Sequence, residues 1–121
     1  MDITPQVGKA LDESGLKDGI LTVFVSGSTT GITTIEYEPG LLKDLPEVLE
    51  KIAPSDVDYA HNLTWGDGNG FSHIRSSFVK TTFTVPFVNS EMTLGTWQQI
   101  VLIDFDNRPR HREIVVQIMG E

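Results

Sequence analysis

The chain has 121 residues, the length of one domain, and folding at that size buries about two-thirds of the surface an unfolded chain exposes. Seventeen acidic against nine basic residues give a formal charge of −8, which excludes a general nucleic-acid binder, because phosphate contacts need clustered cations. The absence of cysteine excludes a disulfide framework, a thiolate zinc site and a thiol nucleophile, so any metal must be held by imidazole and oxygen ligands.

The start Met1-Asp2-Ile3-Thr4 lacks the basic and apolar regions of a signal peptide, and no apolar run approaches the roughly 20 residues of a membrane span. The expectation is a cytoplasmic protein that engages neither membrane nor nucleic acid. Thr4 before Pro5 predicts a helix N-cap, and Val7, Ala10 and Leu11 continue at helical spacing until Gly15. Gly19 to Val25 (GILTVFV) reads as a buried strand, and Ile32 to Tyr37 as a second one after the turn Ser26 to Gly31. An apolar stripe from Leu41 to Ile52 predicts a second helix. Asp44 and Glu47 have capping-box spacing, which would put Pro46 in its first turn, and Pro54 closes it.

Ser55 to Ser72 shows neither the helical nor the strand period, and its length favours a functional loop. His73 to Val79 suits a short helix. The remainder is β in character: Thr81 to Val88, Glu91 to Leu94, Trp97 to Phe105 and Glu113 to Met119, with Pro86 pointing to an edge or a bulge. Six strands and two or three helices, the β elements running together at the end, predict a single α+β domain over residues 1–121, with mixed but mainly antiparallel sheets.

The irregular segment carries His61, Asp67, Asn69 and His73 within thirteen residues, among glycines able to bend the backbone around a bound group. Two imidazoles and a carboxylate suit zinc or a similar divalent metal, although the spacing matches no standard zinc signature. The alternative is that the histidines hydrogen-bond a loop to the body. The hydroxyl-rich turn Ser26 to Gly31 can offer donors to an anion or be an ordinary hairpin turn. Arg75, Lys80, Arg108, Arg110 and Arg112 are the nearby cations. Glu36 and Glu38, two apart on a strand end, face one side, and Trp97 and Gln98 open an apolar strand.

The segments VFVSGSTTGITTIEYEPG, YAHNLTWGDGNGFSHIRSSF and LGTWQQIVLIDFD together resemble the YjbQ family of secondary thiamine-phosphate synthases, over nearly the whole chain. The resemblance implies a small α+β homotrimer with polar clefts where subunits meet. It implies a weak activity joining a pyrimidine diphosphate to a thiazole phosphate, with a non-catalytic protein that binds a metal or a phosphorylated metabolite as the rival. Carried over by residue, it marks His61, His73, Arg75 and Glu36 as catalytic, and Thr29, Asn69, Trp97 and Gln98 as substrate-binding. His61, His73 and Asp67 are the metal ligands it implies.

Three departures accompany it. Gly27 stands where many relatives carry a histidine, so a divalent metal would be retained less firmly than by a three-histidine set. Relatives usually carry a further strand ahead of the segment that begins here at Asp2, and the expectation is a less protected sheet edge. A turn glycine is replaced by Ser90, so Asn89 is expected to take positive φ.

Overall fold

The computed structural model describes residues 1–121. In chain order the elements are α1 (Thr4–Ser14), β1 (Gly19–Val25), β2 (Thr30–Ile35), α2 (Pro39–Ile52), α3 (Ala60–Trp65) and α4 (Gly70–Val79). They are followed by β3 (Thr82–Val88), β4 (Glu91–Met92), β5 (Gln99–Asp104) and β6 (Ile114–Gly120). The α+β class and the six strands agree with the sequence reading. Four helices, rather than two or three, do not.

The strands form two antiparallel sheets, one ordered β4-β3-β1-β6 and one made of β2 and β5. Alternation along β1 sends Leu21, Val23 and Val25 inward, where they meet Val85 and Phe87 of β3, Val7 and Leu11 of α1, and Ile32 and Ile100 of the smaller sheet. This single core fixes the angle between the sheets. Pro86 lies on β3 at the end of its two-residue pairing with β4, its carbonyl accepting from the Thr93 N–H at 3.0 Å, so the missing N–H faces this short flanking strand and costs β1 no hydrogen bond. Met1 to Ile3 run along the free side of β5, through Ile3 N–H to the Ile100 carbonyl at 2.9 Å and Leu102 N–H to the Met1 carbonyl at 2.9 Å.

Several local expectations are corrected. The α1 cap position is Ile3, not Thr4. The Thr4 N–H bonds the Asp2 carboxylate at 2.9 Å, and the Thr4 hydroxyl accepts from Ile100 N–H at 2.8 Å. The Asp44–Glu47 capping box does not form, because α2 begins five residues earlier at Pro39, where the Glu38 carboxylate accepts from the Gly40 and Leu41 N–H groups. Pro46 therefore sits mid-helix, and the carbonyl of exposed Leu42 loses its helical donor to solvent. The supposed loop contains α3, too short to show a period, closed by Gly66 in the left-handed region. The turn between β3 and β4 takes positive φ at Asn89, as expected, and also at Ser90, whose N–H and hydroxyl bond the carbonyls of Lys17 and Leu16.

One contact positions the functional region. α4 packs its end against β2 where Gly31 has no side chain: a Cβ there would stand 2.7 Å from Val79 Cγ1 and 3.1 Å from the Lys80 carbonyl oxygen. Gly31→Ala is expected to destabilise the fold by about 1–3 kcal/mol, since both neighbours are held and cannot retreat. The urea midpoint checks it, and an unchanged midpoint would show that the junction is loose.

Candidate functional site

The turn between β1 and β2, the α3–α4 segment and the turn after β5 converge on an open cleft of about 400 Å³. It gathers Thr29, His61, Asp67, Asn69 and His73, five of the residues singled out in the sequence. Gly27, Ser28, Trp65, Asp106, Arg110 and Arg112 complete it.

Asp106 is the centre of the arrangement. Its side chain is 1% exposed and accepts from the Thr29 hydroxyl at 3.0 Å, Asn69 Nδ2 at 3.3 Å, Arg110 Nε at 2.8 Å and the Asn107 N–H at 2.8 Å. Burial alone would raise its pKa, but these hydrogen bonds to the charged form outweigh it and hold the carboxyl at about 2. Arg112 makes a two-pronged contact with Asp104 at 3.1 and 2.8 Å and donates to the Thr29 hydroxyl at 2.7 Å. Its hydrogen bond depresses the Asp104 pKa. The guanidinium packs beside Gly27, where a Cβ would lie 2.8 Å from Arg112 Nη1 and 3.0 Å from Thr30 Cγ2. Nη1 of Arg112 and both terminal nitrogens of Arg110 make no hydrogen bond within the chain, so each guanidinium keeps donors for a ligand.

Facing these cations, the His61 and His73 rings stand 4.2 Å apart between centroids. Burial pushes the His73 imidazole below its usual range and His61 adds to this, outweighing the opposite pull of Asp106 and Asp67. His73 is thus a neutral base near pH 7. His61 Nδ1, Asp67 Oδ1 and Asn69 Oδ1 are buried without any hydrogen-bond partner in the chain. His61 Nδ1 and Asp67 Oδ1 are 3.9 Å apart, too far to bond one another. Three such atoms in one cleft favour a polar ligand that completes them.

The metal expectation was tested on the same atoms. His61, His73 and Asp67 have the donor chemistry of a divalent site and are neighbours, but no group of three or more histidine, aspartate or glutamate side chains is arranged to close round an ion. As arranged, they do not fit a three-ligand metal site.

Four candidates are not brought to the cleft. Arg75 is buried under α2: Nε and Nη2 donate to the Ala53 carbonyl at 3.1 and 2.9 Å, Nη2 meets Glu50 at 2.7 Å, and the guanidinium lies over the Phe71 ring. Hydrogen bonds from Ser55 and Arg75 hold the Glu50 carboxyl at about 2. The resemblance marks Arg75 as catalytic, but it turns to the other face of α4 and clamps the end of α2. Glu36 and Trp97 line a separate groove of about 350 Å³ with Glu38 and Gln99. Gln98 braces its own turn, accepting from Gly95 N–H and donating to the Thr34 hydroxyl.

Asp106 and Trp65 were missed. Asp106 stands in the turn-forming stretch Asp106-Asn107-Arg108-Pro109, and nothing local signals that such an aspartate will be buried against two other segments. Trp65, 73% exposed at the rim, sat in a segment read as loop.

The frame is a small α+β domain of two antiparallel sheets, with a cleft of paired histidines and guanidiniums between its loops. Comparison then gives the lineage. The family described as "UPF0047 protein YjbQ-like" matches residues 1–121, and the chain belongs to the YjbQ/UPF0047 family. A UPF0047 protein of Methanothermobacter thermautotrophicus is 41% identical, over 100% of this chain and 82% of its own length. One from Methanocaldococcus jannaschii is 37% identical, over 100% and 85%. The crystal structure of a YbjQ-like protein from Sulfolobus solfataricus superposes with a TM-score of 0.95 at 34% identity, covering 100% of this chain and 86% of that one. No helix is long and apolar enough to cross a membrane.

Two outcomes follow from the charges. His73 should titrate below 6.5 by NMR, and Asp106→Asn should move it lower still by removing a carboxylate that raises it. Its unfolded form binds a proton more readily, so its contribution to stability falls as pH drops below 6.5. Asp106 has the same dependence at lower pH: its stabilisation is complete above its unfolded value of 3.8 and is lost as pH falls through about 2. Asp106→Asn should cost about 1–3 kcal/mol at pH 7, read by urea unfolding. A variant as stable as the parent would mean the network is ornamental.

Proposed function

We propose that the cleft binds a phosphorylated small molecule and serves the condensation suggested by the family resemblance: a pyrimidine diphosphate joined to a thiazole phosphate, as in thiamine-phosphate synthesis. The supporting observation is the meeting of unengaged guanidinium donors, the free Ser28 hydroxyl and an imidazole held toward its neutral form in one polar cleft. In that reaction the bond between the pyrimidine methylene carbon and the diphosphate oxygen breaks, and positive charge develops on the carbon. The thiazole nitrogen then donates its electron pair to form the new C–N bond, and diphosphate departs. Donors aimed at the leaving oxygens lower that barrier most, and Arg110, Arg112 and Ser28 are the groups suited to it, with Thr29 holding Arg112 and Asp106 in place.

Two guanidiniums face the carboxylates of Asp67 and Asp106, so net attraction is small and affinity rests on directed hydrogen bonds. Arg110→Ala is therefore expected to reduce kcat/KM by about tenfold to a hundredfold without unfolding the chain, since that side chain is 39% exposed. Incubation with both phosphorylated substrates and chromatographic detection of thiamine phosphate tests the activity; none above a heat-killed control would overturn it. Ligand binding without turnover would leave the second reading, a binding protein for a phosphorylated metabolite, which the three unsatisfied buried atoms favour equally. Because His61, His73 and Asp67 do not close round an ion, elemental analysis of untagged protein should find zinc, manganese or nickel below one per chain. One equivalent, lost on His61→Ala or His73→Ala, would instead establish a metal site.

The proposal includes a homotrimer. Its support is the outer face of the larger sheet, where Ile20, Phe24, Val88, Val115 and Met119 lie exposed on adjoining strands, more apolar surface than a lone sheet face ordinarily shows water. Light scattering should give about 40 kDa, three chains of 13.4 kDa. A monomer at micromolar concentration would count against it.

A further inference from the structure

Beyond His73 the cleft continues into a second lobe. Gly27, Ser28 and His73 border both, and the second, about 380 Å³, is otherwise lined by Ser76, Ser77, Lys80, Thr81 and Thr82, with no hydrophobic residue. Ser76 and Ser77 use their hydroxyls on backbone carbonyls of Thr30 and His73. The hydroxyls of Ser28, Thr81 and Thr82 make no hydrogen bond within the chain, and Lys80 makes no ion pair despite the excess of acids.

The backbone at Lys80 is the second observation. It has φ 76° and ψ 168°, a region that glycine enters freely and that a side chain enters only under strain. Neither end can relax, because Lys80 N–H bonds the Ser76 carbonyl at 2.8 Å and Ile32 N–H bonds the Lys80 carbonyl at 3.0 Å. Glycine would satisfy both hydrogen bonds without strain. A lysine there gives the fold nothing visible: its side chain is exposed and unpaired, and what it adds is one positive charge in a lobe of free hydroxyls. Strained residues of this kind concentrate where a ligand is held.

We propose that this lobe is a second oxyanion subsite, in which Lys80 and the Ser28, Thr81 and Thr82 hydroxyls hold a phosphoryl group. The inference rests on the reading of the arginine-lined lobe as the first anion site and extends it: the two lobes meet at His73, so two phosphorylated reactants have separate places on either side of one imidazole. The diphosphate belongs to the lobe with two guanidiniums, and the single phosphate of the nucleophile to the lobe with one ammonium.

Calorimetry with inorganic phosphate and inorganic pyrophosphate tests this on the full chain. Wild type saturated with pyrophosphate should still bind phosphate. Lys80→Gly and Lys80→Ala should each weaken that phosphate binding about tenfold or more and leave pyrophosphate affinity within about twofold. Lys80→Gly should also melt at the same or a higher temperature than wild type, because glycine removes the strain, whereas Lys80→Ala keeps the strain and should melt no higher. Phosphate bound as tightly by Lys80→Gly as by wild type, or no phosphate bound once pyrophosphate is present, would overturn the subsite. Pyrophosphate failing to bind while Lys80-dependent phosphate binding persists would sink the function proposed above and still support this subsite.

Discussion

The buried carboxylate of Asp106 is the interaction on which the cleft depends. Three stretches remote in sequence, the β1–β2 turn through Thr29, the α3–α4 segment through Asn69, and the turn after β5 through Asn107 and Arg110, meet on its two oxygens. An isolated buried charge would be expelled or neutralised; here each lone pair finds a donor, and the low pKa is the measure of that satisfaction. The carboxylate in turn aims Arg110 at the cleft without consuming its terminal nitrogens. Position and charge are set by one group.

Gly27 and Gly31, four residues apart, show how absence of a side chain shapes such a site. Gly31 lets the end of α4 approach β2, which fixes where His73 stands relative to the sheet. At Gly27 a Cβ would stand 2.8 Å from Arg112 Nη1 and 3.0 Å from Thr30 Cγ2, so glycine leaves the cleft wall open beside that guanidinium. The resemblance implies a histidine at this position in many relatives; here the neighbouring polar group is the Arg112 guanidinium.

Much of the fold was legible because its signals are local. A dense apolar run identified β1, although it is buried on one face only, with Ile20 and Phe24 exposed on the other; β-branched runs marked the later strands, and Asn89 announced a turn. What failed locally was overridden by neighbours: Asp44 and Glu47 have capping-box spacing, but Glu38, Pro39 and Gly40 form an earlier helix start that leaves them mid-helix. α3 has six residues, fewer than two turns, and cannot display a period. In the site, residues close in sequence were found together, as His61, Asp67, Asn69 and His73 were, while Glu36, Trp97 and Gln98 were grouped with them by resemblance alone and lie elsewhere. Asp106 escaped because its role exists only once two remote loops have folded against its own.

Departures from local rules are not scattered over the molecule. Buried polar atoms without partners number three, and all three belong to the cleft. Of the three non-glycine residues with positive φ, Asn89 and Ser90 form a tight hairpin turn, where such values are the ordinary solution, and Lys80 alone borders a cavity without that excuse. A sequence selected only for folding would place glycine at 80 and would pair or remove His61 Nδ1 and Asp67 Oδ1. That the unsatisfied atoms and the strained backbone fall on opposite sides of His73 argues that one ligand system accounts for both. It also makes His73, buried enough to stay neutral and bordered by both lobes, the residue whose environment the rest of the cleft is arranged to set.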